Sequence, residues 1–117
     1  MDMEEELEKL KYHISLLADQ IPEMDTYAGL MIGLDWGPDV MGRVHDIFER
    51  HDKILEQTKS MDGGELEREL RELKNVGYQE VKRIVRTLWA NDQWMGVCLE
   101  YAKQFTCSEF HSILNQE

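Results

Sequence analysis

The residues best suited to chemistry crowd into HDIFERHD, residues 45–52, where two histidines, an arginine and three carboxylates stand together. Histidine and carboxylate are zinc ligands and paired carboxylates hold magnesium, so the stretch invites a metal-centred reading. Helical geometry divides it. At about 100° per residue, an apolar stripe through Val40, Val44, Ile47, Ile54, Leu55 and Thr58 has His51 at its centre and leaves His45 about 120° away, beside Glu49, Asp52 and Glu56. Two histidines so placed cannot ligate one ion from the same helix. His51 is expected in a core or interface, bonded to a carbonyl or carboxylate. His45, Glu49 and Asp52 are then the candidate cation ligands. Zinc needs three or four donors, however, and no HExxH or CxxC motif supplies more. No metal or other cofactor is expected, and Asp46 with Arg50 and Glu49 with Lys53 suit ordinary i, i+4 ion pairs.

Other carboxylates also fall in pairs. Glu5 with Glu8 and Glu69 with Glu72 read ExxE, and Glu49 with Asp52 reads ExxD. The pattern resembles the all-α nucleotide pyrophosphohydrolases of MazG type, which imply magnesium held by paired carboxylates. There an ExxE helix precedes ExxD by a modest connection. Here the earlier ExxE stands about 40 residues before ExxD with a helix between, and the later one follows it, so the order fails. Ser15, Ser60, Ser108 and Ser112 have no GxSxG turn around them, and Cys107 with His111 is an i, i+4 pair at a helix start. Gly29, Gly33 and Gly42 make no phosphate loop and are expected to let helices approach. A non-enzymatic protein is the expectation, with a small magnesium-dependent pyrophosphohydrolase-like enzyme as the rival.

The elements that would position these residues read as helices throughout. Met3, Leu7, Leu10, Ile14, Leu17 and Ile21 alternate steps of four and three, a short heptad seam of a and d positions. Packing along its own domain and pairing with a second copy both suit a seam this short. Pro22 interrupts, Asp25 or Thr26 can cap a helix bearing Tyr27, Leu30, Met31 and Leu34, and Pro38 suits the first turn of the helix that carries HDIFERHD. Asp62-Gly63-Gly64 is the clearest breaker, and that helix is expected to stop near it. Beyond lie a charged helix with Leu66, Leu70 and Leu73, a bend at Asn75 and Gly77, and a stripe of Tyr78, Val81, Ile84, Val85, Leu88 and Trp89. A junction at Ala90-Asn91-Asp92 leads to Trp94, Val97, Cys98, Tyr101, Ala102 and Phe105, and Thr106 with Glu109 has capping-box spacing before a last short helix.

With no sustained period-two alternation and only two prolines, the fold is expected to be all-α: a single-domain bundle of about five to six helices over residues 1–117. Residues 1–21 would form the heptad helix and residues 106–117 a short terminal helix and tail. A net charge of −11, from 24 acidic against 13 basic residues, argues against nucleic acid as a ligand. The basic patch from Arg68 to Arg86 is expected to balance nearby acids. No apolar run could cross a bilayer and no signal-peptide pattern is seen, so a cytoplasmic location without membrane contact is expected. Cys98 reads as a small core residue and Cys107 as a helix-junction residue; neither has CxxC spacing. Most methionines are expected in the core, whereas Trp36 in a turn and Trp94 at a helix start could anchor an interface.

Three stretches, LEKLKYHISLL, MDTYAGLMIGLDWGPD and VKRIVRTLWANDQWMGVCLEYAKQF, resemble the YhaI-like family of small helical proteins from spore-forming bacteria. The resemblance spans roughly residues 5 to 105 and implies an all-α fold; it supplies no catalytic residue. The chain departs from that pattern in its acidic middle and in the tail from Thr106 onward. The expected function is protein–protein interaction, first of all homodimerisation or higher self-association, with Leu7, Leu10, Ile14, Leu17, Ile21, Trp36 and Trp94 as interface residues. Another protein is a further possible partner, and an acidic inhibitor of phage or plasmid type is the third alternative.

Overall fold

A computed structural model describes residues 2–18 and 26–115. Ile21, Pro22, Met24 and Asp25, which entered the expectations above, lie outside the described residues, as does the end of the tail. The described chain is helical and contains no strand: α1 Met3–Ala18, α2 Tyr27–Leu34, α3 Pro38–Thr58, α4 Gly63–Arg71, α5 Tyr78–Ala90 and α6 Met95–Gln104. A 3-10 turn, Ser108–Phe110, then leads into α7, His111–Leu114. The terminal helix expected as one piece is therefore split.

Local chemistry explains most boundaries. Thr26 caps α2 by accepting from the Gly29 N–H at 3.0 Å, and Pro38 opens α3, where its missing N–H costs nothing. The Asp62-Gly63-Gly64 breaker behaves differently from expectation. α3 has already ended at Thr58, with Lys59 in the left-handed region at φ 63°, and the two glycines are the first residues of α4. Asp62 caps that helix through Gly64 and Glu65 N–H groups at 3.0 and 3.2 Å. Gly63 is required for space: a Cβ there would lie 2.5 Å from Gln104 Oε1. That amide accepts from the Gly63 N–H and donates from Nε2 to the Met61 carbonyl, each at 2.7 Å, so α6 is clipped to the start of α4.

Two further expectations are corrected. Thr106 and Glu109 do not form a capping box; Cys107 precedes the 3-10 turn, and the Glu109 carboxylate instead faces Lys82 at 3.7 Å and Arg86 at 3.3 Å on α5. Tyr78 is 58% exposed instead of lying in the apolar stripe of α5, because its ring carries the Arg71 guanidinium 3.8 Å above it.

One buried cluster draws Leu30 and Leu34 from α2, Val44 and Phe48 from α3, Leu66 and Leu70 from α4, and Val81, Ile84, Val85 and Leu88 from α5. Val97, Cys98 and Tyr101 of α6 complete it with Phe110 and Ile113 from the C-terminal turn. None of the α1 side chains described, those of residues 3–17, belongs to this core. The buried face of α3 runs through Met41, Val44, Phe48 and His51. Its centre is about 40° round the helix from the stripe expected, because Met41 and Phe48 outweigh Ile54, which is left exposed. His45 consequently sits on a flank of the buried face and not opposite it.

Candidate interaction surface

α1 is held as a helix with three glutamates in its first turn, Glu4, Glu5 and Glu6, complementing the dipole. Its described side chains from residue 2 to 17 are all exposed. The seam residues Leu7, Leu10, Ile14 and Leu17 are between 49% and 64% exposed, although they share one helical face. Among the described residues, it is the C-terminal end of that face that meets the rest of the protein. There Ile14 joins Ala28, Met31, Ile32, Asp35 and Trp36 around a shallow, mostly apolar recess between α1 and α2. Ile32, itself exposed, was not part of the expected stripe. The signal lay in YAGLMIGL, which is apolar on every side and cannot hide all of its faces in one core.

The two tryptophans differ. Trp36 is 7% exposed and its Nε1 donates to the Lys74 carbonyl at 2.7 Å, so the residue serves its own fold and offers only an edge to the recess. A turn position suggested exposure, but an indole N–H with a carbonyl in reach can be buried. Trp94 remains half-buried, in the left-handed region at φ 45°, where it caps α6. Its ring lies 5.1 Å from His45 and 6.0 Å from Phe48, and His45 in turn lies 6.3 Å from Tyr27. Burial raises the Tyr27 phenol above its ordinary value, and the Cys98 sulfur adds to the shift.

The candidate cation ligands are not brought together. His45 packs on rings, Glu49 turns to Lys53 at 3.8 Å, and among the described residues no group of three His, Cys, Asp or Glu side chains converges. Arg50 does not pair with Asp46 as expected. It binds Glu69 of α4, whose other oxygen is 3.2 Å from His51 Nε2. His51 is 2% exposed; burial lowers its pKa first, and the Arg50 charge lowers it further against the opposing pull of Glu65 and Asp62. A neutral His51 therefore donates to Glu69 and ties α3 to α4.

The basic patch is likewise engaged within the protein. Arg83 donates to the Gly29 carbonyl at 2.9 Å, through space that Gly33 leaves open by lacking a Cβ. Lys74 reaches Asp35 at 3.3 Å and Arg68 reaches Glu65 at 3.6 Å. Gly42, by contrast, has open space around it and permits no close approach. Met41 and Met61 are buried, while Met95 is exposed. Both cysteines are free thiols, and burial pushes Cys98 up to about 12, far from a reactive thiolate. Among the described residues no helix is long and apolar enough to cross a membrane.

No family model matches the chain, and neither does any curated protein or solved structure.

Proposed function

We propose that this protein is a non-enzymatic interaction module, a single helical bundle that associates with a second copy of itself through the heptad seam of α1. The observation that carries the reading is the exposure of Leu7, Leu10, Ile14 and Leu17 on a helix none of whose described side chains joins the core. Scattered exposed leucines are ordinary, but a contiguous apolar face on a projecting helix is the mark of an association surface. The recess at Ile14, Ala28, Met31 and Ile32 extends that face onto the bundle. Another protein with an amphipathic helix would use the same face. The setting proposed is the cytoplasm, where two free thiols are stable.

Sedimentation equilibrium of the native protein and of Leu10→Lys tests this. The native chain, 13.8 kDa, is expected at twice its mass and the variant at its monomer mass. Leu10 is 54% exposed, so the lysine leaves the monomer folded. A native monomer at all concentrations, or a variant with unchanged mass, overturns the proposal.

A further inference from the structure

Heptad positions also fix how two such helices would meet. Resting on the self-association reading, we infer that the α1 helices pair in parallel and in register, each seam residue against its own copy, with Glu6 of each chain bridging to Lys11 of the other. Leu7 and Ile14 are a positions, and Met3, Leu10 and Leu17 are d positions. Isoleucine at a with leucine at d, as at Ile14 between Leu10 and Leu17, favours two parallel strands. Glu6 is then a g position and Lys11 the e position of the next heptad. In a parallel pair these two face each other, twice by symmetry, on a face where α1 makes no bridge of its own.

Antiparallel pairing does worse in each register. With the seams fully overlapped, Lys11 meets Lys11 of the other copy and His13 meets His13. With the registers shifted so that Leu7 packs on Leu10 and Glu4 reaches Lys11, Leu17 is left without a partner in water. Parallel pairing leaves no described seam residue uncovered. It gathers the acidic first turns at one end, but Glu5 points outward there and Glu6 is matched by Lys11. It also sets both bundles at the same end of the paired helices. Ile14 opens onto the recess of Ala28, Met31 and Ile32 at that end, so the two recesses come to the same side and can extend a contact too short on α1 alone.

Two experiments on the full chain test orientation. In a Cys107→Ser background, with Cys98 fully buried and silent, Leu10→Cys is oxidised in a glutathione buffer beside the outward control Tyr12→Cys. Cross-linked dimer is expected for position 10 and not for position 12. In the second, Glu6→Lys, Lys11→Glu and the double exchange are compared by sedimentation. Each single change is expected to weaken dimerisation about tenfold, and the double to recover most of that loss. Positions five apart lie about 140° round one helix, so coupling between them reports a contact across the interface. A dimer that stays unlinked through position 10, or whose charge cycle is additive, overturns parallel pairing while self-association stands. A monomeric native protein overturns both.

Discussion

Deleting residues 1–18 separates what α1 does for the fold from what it does for association. Among the described residues no α1 side chain lies in the core, and the interaction given up is the half-burial of Ile14 beside Met31 and Ile32. Burying a leucine or isoleucine fully is worth about 1.5–3 kcal/mol, so the intrinsic stability of the bundle should change by about 1 kcal/mol. Association should change far more. Leu7, Leu10, Ile14 and Leu17 have about half their surface left to bury, or about 1 kcal/mol each, and two chains supply about 8 kcal/mol in all. Association itself costs about 4–15 kcal/mol, so the seam alone reaches about millimolar affinity at best and the recess must contribute. Mass action then makes the unfolding temperature of the full chain rise with concentration. Thermal unfolding by circular dichroism, over a hundredfold range of concentration, is the assay. The full chain should show the rise and the truncated chain none. A truncated chain that no longer unfolds cooperatively, or one that keeps the concentration dependence, would refute the reasoning.

Gly63→Ala should destabilise by about 1–3 kcal/mol in urea unfolding, because its Cβ displaces Gln104 and breaks two hydrogen bonds. Gly64→Ala, whose nearest neighbour is the Asp62 carboxylate at 3.3 Å on an exposed face, should be neutral or slightly stabilising; equal effects at the two sites would contradict the clip. His51 titrates below its ordinary value of 6.5 when folded, so the unfolded chain takes up the proton first. Its contribution is complete above about pH 6.5 and is lost as the pH falls through 6.5 towards the lower folded value. Urea unfolding from pH 7.5 to 5 should therefore fall less steeply for His51→Gln than for the native protein, and parallel profiles would argue against that role.

Helix periodicity was readable because it follows from a repeated 3.6-residue spacing and needs no knowledge of neighbours. The order of elements, the Thr26 cap, the Pro38 start and the burial of His51 all follow from residues within one turn of each other or from one helical face. What was misread depends on groups distant in the chain. Gly63-Gly64 looked like a stop because glycine weakens a helix, yet Asp62 and Gln104, one adjacent and one on α6, turn it into a start. Glu109 looked like a capping glutamate until Lys82 and Arg86 came within reach from α5. The stripe of α3 was set too far round by leaving out Phe48, and His45 moved with it from a solvated face to a flank beside Trp94. As for the candidate surface, the spacing of Leu7, Leu10, Ile14 and Leu17 was enough to place them on one face of a helix, which is where α1 carries them. That the other described residues leave that face exposed required coordinates.

Helices α2 to α7 and α1 differ in how their needs are met. From α2 onward, apolar faces close on one core and distant polar groups find partners: Trp36 on Lys74, Asn75 on Leu34, Arg83 on Gly29 and Gln104 on Gly63. α1 has no such ties. A 16-residue helix is marginal in water by itself, and α1 has acids at its first turn but no basic residue in its last to complete the dipole. Seven of its sixteen residues are large apolar side chains exposed to solvent. Such a segment gains helical stability chiefly from packing, and the bundle offers it only the recess near Ile14. In the proposed dimer, helix formation in α1 and association are therefore one coupled process. A substitution that lowers the helicity of α1 without touching a seam residue should weaken the dimer as surely as the loss of Leu10.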